Sequence, residues 1–218
     1  MYIELELPDL QGFPDGFRDY WLNITFTNNP PIAYHIRGIV TNYVRLVEAA
    51  MADYRHARLL THSGWTLTTA WGRDHNRACG YFEACLSNMH RAIRFMKRIL
   101  NHPEIPQTLK NLFSNKPLFT RTSVADRICN IRNAIHHLDE KILKGIIPKD
   151  TPFTLMATGL EVPVPLEPGQ TLKTIDRLRI GHHEILFSEM CAWLLEMACC
   201  AEQISIYEGH GHANSSTV

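Results

Sequence analysis

The stretch "VADRICNIRNAIHHLDEKI", residues 124–142, decides the first reading of the fold. Val124, Ile128, Ile131, Ile135, Leu138 and Ile142 recur at alternating spacings of four and three, the pattern of a helix that buries one face. A cap at Thr122 or Ser123 and a stop at Gly145 bound a predicted helix over 122–145. On a wheel of about 100° per residue with Arg132 at zero, the apolar stripe centres near ~280°. By the same arithmetic His136 falls near ~40°, Asn133 near ~100° and His137 near ~140°. Arg132, Asn133, His136 and His137 therefore share one continuous arc that the core does not need.

Working outward, two further segments carry the same helical period. Ile32, Ile36, Val40, Tyr43, Val47, Ala50, Tyr54 and Ala57 predict a helix over 32–60. Phe82, Leu86, Met89, Ile93, Met96 and Leu100 predict another over 74–101, with Asp74 as its cap and "NHPEIP" as its stop. Between them "THSGWTLTTAWGR", residues 61–73, reads as a loop in which Trp65 and Trp71 offer aromatic faces. Residues 182–206 read as a last helix, apolar almost all round from Ile185 onward, which suits a bundle centre or an interface.

The remainder is not helical in pattern. Ile3, Leu5 and Leu7 alternate with Glu4 and Glu6, a strand signal that opens an N-terminal arm over 1–31 rich in Pro and Gly. Residues 146–181 turn to Thr, Val, Pro and Gly, with a Thr-Gly turn at 158–159, and predict a β-hairpin insertion at about 150–181 that can pair with the arm. The expected architecture is all-α, a bundle of four long helices with a small β-hairpin insertion and an N-terminal arm. It divides into the arm (1–31), a helical domain (32–206) and a polar, disordered tail (207–218).

Composition narrows the function classes. Lys+Arg and Asp+Glu are both 22, so no global field draws the chain to nucleic acid or membrane, and any polyanion site is a local patch. The six cysteines lack paired CxxC spacing and sit in apolar helical segments, which predicts reduced, buried thiols and a cytoplasmic setting. No signal-like segment and no long uncharged apolar run is present, so no membrane partner is expected. Walker, GxGxxG, HExxH and GxSxG motifs are all missing, and no cofactor is expected. His182, His183 and Glu184 open the predicted last helix, where adjacent histidines diverge, and His210 and His212 lie in the tail; no metal is expected.

The helix at 122–145 holds the most chemistry. Arg holds phosphate through a charged fork. His exchanges a proton near neutral pH, and Asn can orient either group. Together they suit cleavage of a phosphodiester by its own 2′-hydroxyl, which needs proton transfer and charge stabilisation. Arg91, Arg94, Lys97 and Arg98 form a basic face on the 74–101 helix, either an RNA-backbone track or a solvated exterior. A solvated Arg/His face on a structural helical protein is the competing account of the whole cluster.

"RNAIHH", residues 132–137, resembles the signature of the HEPN superfamily, in which an Arg, a polar residue and then a His follow one another on a helix late in a helical bundle. Arg132, Asn133 and His137 match it, and the helical segments 32–145 and 182–206 resemble its layout. The resemblance implies a homodimer whose two motif helices form one composite site that cuts single-stranded RNA without a metal. It implies that Arg132 holds the scissile phosphate, His137 transfers protons and Asn133 orients them. Relatives act as toxins, with or without an antitoxin partner, or in antiviral defence, and others are inactive scaffolds or nucleotide binders. Asp139 stands where a Tyr often follows the His in toxins controlled by a nucleotidyltransferase antitoxin, which argues against that control. His136 is an extra histidine, closer in angle to Arg132, and competes with His137 as the working base.

Overall fold

The computed structural model describes residues 1–14, 17–26, 32–66, 71–146, 152 and 154–207. The predicted tail from 208 onward, with His210 and His212, lies outside them, as do residues 67–70 of the predicted loop and the side chains of Trp65 and Trp71.

Two long helices dominate, α2 (Tyr34–Thr66) and α3 (Trp71–Asn101), which pack along each other. The loop expected at 61–73 is largely helix. Thr61 returns its hydroxyl to the Ala57 carbonyl at 2.8 Å, and Ser63 donates to Asp74, so polar residues close this corner without unwinding it. Asp74 thus tethers the two helices three residues inside α3, where a cap was expected. A short α1 (Arg18–Phe26) lies in the N-terminal arm, where no helix was foreseen. The arm is held to α2 by Tyr54, which donates to the Pro8 carbonyl at 2.9 Å, and by the Arg58–Asp9 ion pair at 3.1 Å.

After α4 (Gln107–Asn111) and a 3₁₀ turn (Leu118–Thr120) come α5 (Thr122–His136) and α6 (Leu138–Leu143). The helix expected as one piece over 122–145 is broken at His137, whose backbone (φ −104, ψ 18) leaves the helical basin. Its end is where the sequence placed it. Gly145 adopts φ 63, the Ile146 amide reaches the Lys141 carbonyl at 3.1 Å and the Gly145 amide that of Ile142 at 3.0 Å, a glycine-based helix stop.

The β content overturns the all-α expectation. The protein is 62% helical, with seven helices and two three-stranded sheets among the described residues, a mixed α/β architecture and not a four-helix bundle. One sheet orders β1 (Tyr2–Leu5), β4 (Thr171–Ile175) and β3 (Glu161–Pro163), with β1 parallel to β4 and β3 antiparallel to it. The anticipated pairing of the arm with the insertion is therefore present, in the register Tyr2↔Leu172 to Leu5↔Ile175. The other sheet is antiparallel and orders β2 (Met156–Thr158), β5 (Arg177–Ile180) and β6 (His183–Leu186). Thr158-Gly159 is not a hairpin turn, since β2 and β3 on either side of it join different sheets.

Residues 183–186 are strand, and α7 (Phe187–Ser205) starts only after them. Ile185, Leu186 and Phe187 form an apolar run that satisfies either period. The ladder from Ile185 to Leu178 in β5 decides for strand. The core has α2, α3 and α7 at its centre, where Phe82 and Phe187 meet at 5.1 Å and Tyr43 donates to the Met197 carbonyl at 3.0 Å. Buried Leu178, Ile180 and Ile185 show that the β2–β5–β6 sheet covers a side of the helical layer and is part of the core, where only a small hairpin beside a four-helix bundle was expected. Of the six thiols, Cys79, Cys85, Cys191 and Cys200 are buried, and Cys129 and Cys199 are half-buried.

Candidate functional site

The four residues of the motif helix take distinct positions. Ile128, Ile131 and Ala134 bury the inner face of α5 against the core, which turns Arg132 and Asn133 outward in half-buried positions and His136 into solvent. Arg132 Nη1 donates to Asn133 Oδ1 at 3.2 Å, and Asn133 Nδ2 points back to Cys129 Sγ at 3.5 Å. Asn133 is therefore held from one side and restrains the guanidinium from the other. His137 caps α5 and starts α6, and its Nδ1–H donates to Glu140 Oε1 at 3.3 Å. That contact leaves Nε2 as the ring nitrogen open to a substrate. Among the described residues neither histidine of the motif hydrogen-bonds to Arg132, and the structure brings together Arg132 and Asn133 only.

The basic face of α3 divides. His90, Arg94 and Lys97 stand at i, i+4 and i+7, one row of the helix. Arg91 and Arg98 fall about 80–100° further round; both are exposed, and Arg98 lies over the Phe95 ring at 5.3 Å. The row faces α5. Burial lowers the His90 imidazole below its ordinary value, and Arg132, Arg94 and Lys97, in that order, push it further down. The charges of three cations thus bear on one half-buried imidazole. Among the described residues none of the three has a carboxylate partner. Uncompensated positive charge around a neutral donor is the arrangement that holds a phosphate.

Of the residues expected to touch RNA, Arg94 acts with Arg132 on His90, whereas the exposed Arg91 and Arg98 are not among the charges that lower it. His90 and Lys97 belong to the site, and His90 was missed. Its spacing to Arg94 is legible in the sequence, but its approach to Arg132 depends on how α3 and α5 pack. No three His, Cys, Asp or Glu side chains among the described residues gather as metal ligands would.

A second charged knot fixes the other side of α5. Arg127 donates to both carboxylate oxygens of Glu189 at 2.6 and 2.7 Å and lies over the Trp193 ring at 5.8 Å, while Glu189 accepts the Leu186 amide at 3.1 Å. Burial raises the Glu189 carboxyl, but these donors outweigh it and hold it below its ordinary value. The same Arg127 donates to the Glu184 carbonyl at 3.3 Å and so ties α5 to β6 and α7 at once.

No helix among the described residues is long and apolar enough to cross a membrane. Set against protein-family models, curated proteins and solved structures, the chain matches none.

Proposed function

We propose that the chain is a metal-independent endoribonuclease of HEPN type that cuts single-stranded RNA at a site composed from two copies. The observation that carries this reading is the uncompensated cluster of Arg132, Arg94 and Lys97 around His90, beside a motif helix whose Arg and Asn are already hydrogen-bonded to each other. A phosphodiester entering there meets a guanidinium restrained by Asn133 and two further cations, which stabilise the dianionic phosphorane.

The chemistry balances without a further reactant. His137 Nε2 of one protomer takes the proton of the 2′-hydroxyl, whose oxygen attacks the adjacent phosphorus. The bond from phosphorus to the 5′-oxygen breaks, and His137 of the second protomer, protonated, gives that oxygen its proton. The products are a 2′,3′-cyclic phosphate and a 5′-hydroxyl. Two copies enter the reading because within one protomer His137 lies past the end of α5, bonded to Glu140, and neither motif histidine hydrogen-bonds to Arg132. His136, exposed and nearer in angle, is the substitute base.

The same divergence favours a second reading, in which the cluster binds RNA or a nucleotide and cleaves nothing. The test is cleavage of a mixed-sequence single-stranded RNA in EDTA by the wild type and by Arg132→Ala, His136→Ala and His137→Ala. Cyclic-phosphate ends that vanish in Arg132→Ala and in one histidine variant support the enzyme. Binding without cleavage selects the second reading, and cleavage undiminished in all three variants removes the site altogether.

A further inference from the structure

The flank of α5 turned away from Arg132, beside its core face, carries a second feature that the phosphate cluster does not use. A cleft of about 260 Å3 runs between α5 and the β5–β6 hairpin, lined by Arg127, Asn130 and Ile131 on one wall and His182, His183 and Glu184 on the other. It is smaller than the roughly 300–1,000 Å3 of pockets for drug-sized ligands, so its occupant is a fragment such as one ring system.

The charges on its walls are already matched. Arg127 is held by Glu189 and the Glu184 carbonyl, and the Glu184 carboxylate accepts from Arg177 at 3.3 Å. Neither wall offers an unmatched ion to a ligand. What remains is aromatic and polar. The His182 and His183 rings lie 3.9 Å apart at a 42° tilt and present a π surface. Burial lowers the His183 imidazole, and His182 and Lys141 add to the effect, which disfavours its charged form. Ile131 supplies an apolar floor. Asn130 is exposed and, among the described residues, its carboxamide has no hydrogen-bond partner, which leaves an adjacent donor and acceptor at the cleft edge.

A stacking surface, an apolar floor and one carboxamide edge are the parts with which proteins hold an unpaired base. We propose that this cleft is a nucleobase subsite, which stacks one base of a single strand on His182 and His183 and reads its edge with Asn130. The subsite rests on the RNA reading of the Arg132 cluster and adds to it a source of sequence preference. Its placement fits. Asn130 lies on α5 seven residues before His137, which ends that helix, about 10 Å back along the axis, so the base held belongs to a nucleotide neighbouring the one at His137.

The experiment compares the affinities of the full chain for three single-stranded hexamers, oligo(rA), oligo(rU) and an abasic hexamer that keeps the phosphates. Wild type binds at least one base-bearing hexamer about 10-fold more tightly than the abasic one, the scale of one stacked base. The Asn130→Ala/His182→Ala variant, both changes on exposed side chains, loses that advantage and keeps its affinity for the abasic hexamer, which also reports that it is folded. Equal wild-type affinities for all three hexamers overturn the subsite and leave the phosphate cluster standing. An advantage that survives the double variant, or a loss of abasic binding in it, also overturns the subsite. Failure of wild type to bind any hexamer overturns the subsite together with the RNA reading.

Discussion

Replacing Arg94, Lys97 and Arg132 by Gln, singly and together, tests the candidate site most directly. These three cations surround His90 without a carboxylate partner among the described residues. Each is therefore free to exchange its solvent counter-anions for an RNA phosphate. Release of condensed counterions from a single strand lowers the slope of log affinity against log salt by about 0.7 for each phosphate contact. Between about 50 and 200 mM salt, each contact then costs a further factor of about 2.6 in affinity, and three cost about 18-fold. The assay is fluorescence anisotropy of a labelled single-stranded RNA across that salt range. Each single variant should flatten the slope by about 0.7 and the triple variant by about 2. Arg91→Gln, on the diverging face of α3, should change it little. A triple variant with the wild-type slope would refute the cluster as a phosphate site, and an Arg91 effect as large as that of Arg94 would show that the whole helix surface binds as a track.

Two further outcomes follow from particular contacts. A Cβ at Gly159 would overlap the Thr174 carbonyl oxygen and stand 2.7 Å from its carbon, between the Thr174–Leu160 and Asp176–Thr158 backbone hydrogen bonds. Gly159→Ala should therefore cost about 3 kcal/mol in urea unfolding, at the top of the usual overpacking range, and an unchanged midpoint would disprove this close approach. His90 is depressed, so the unfolded chain binds its proton more readily than the folded one. The His90 share of stability is then complete at neutral pH and declines as pH falls below about 6.5. By NMR titration His90 should protonate below that value, and Arg132→Gln should raise its midpoint without restoring it, since burial is the larger cause; a midpoint that Arg132→Gln leaves in place would separate the two side chains.

Local patterns carried much of the architecture and part of the site. The apolar stripes of α2 and α3 are buried almost throughout, that of α5 is buried at Ile128 and Ile131 and half-buried at Val124 and Ile135 while Ile142 beyond the break is exposed, Gly145 ends α6, and Arg132 and Asn133, adjacent in the chain, are hydrogen-bonded to each other. Each of these depends on residues within a turn or two, where side-chain period and capping chemistry act directly. The fold class was not legible. A buried stripe reports that a face is covered, not whether a helix or a sheet covers it. Here part of the cover is strands of three to four residues, too short for alternation to stand out.

Tertiary structure alone decided three things. The apolar run at Ile185–Phe187 became strand and then helix because β5 was there to complete the backbone hydrogen bonds of its first half. The helix through the motif broke at His137, whose Nδ1 bonds to Glu140. And Arg132 acquired His90, Arg94 and Lys97 as neighbours because α3 packs against α5, some forty residues away in sequence. Charge spacing along one helix shows which side chains share a face. Which face of another helix lies opposite is set by how the two stripes fill the common core, and that is a property of the assembled fold.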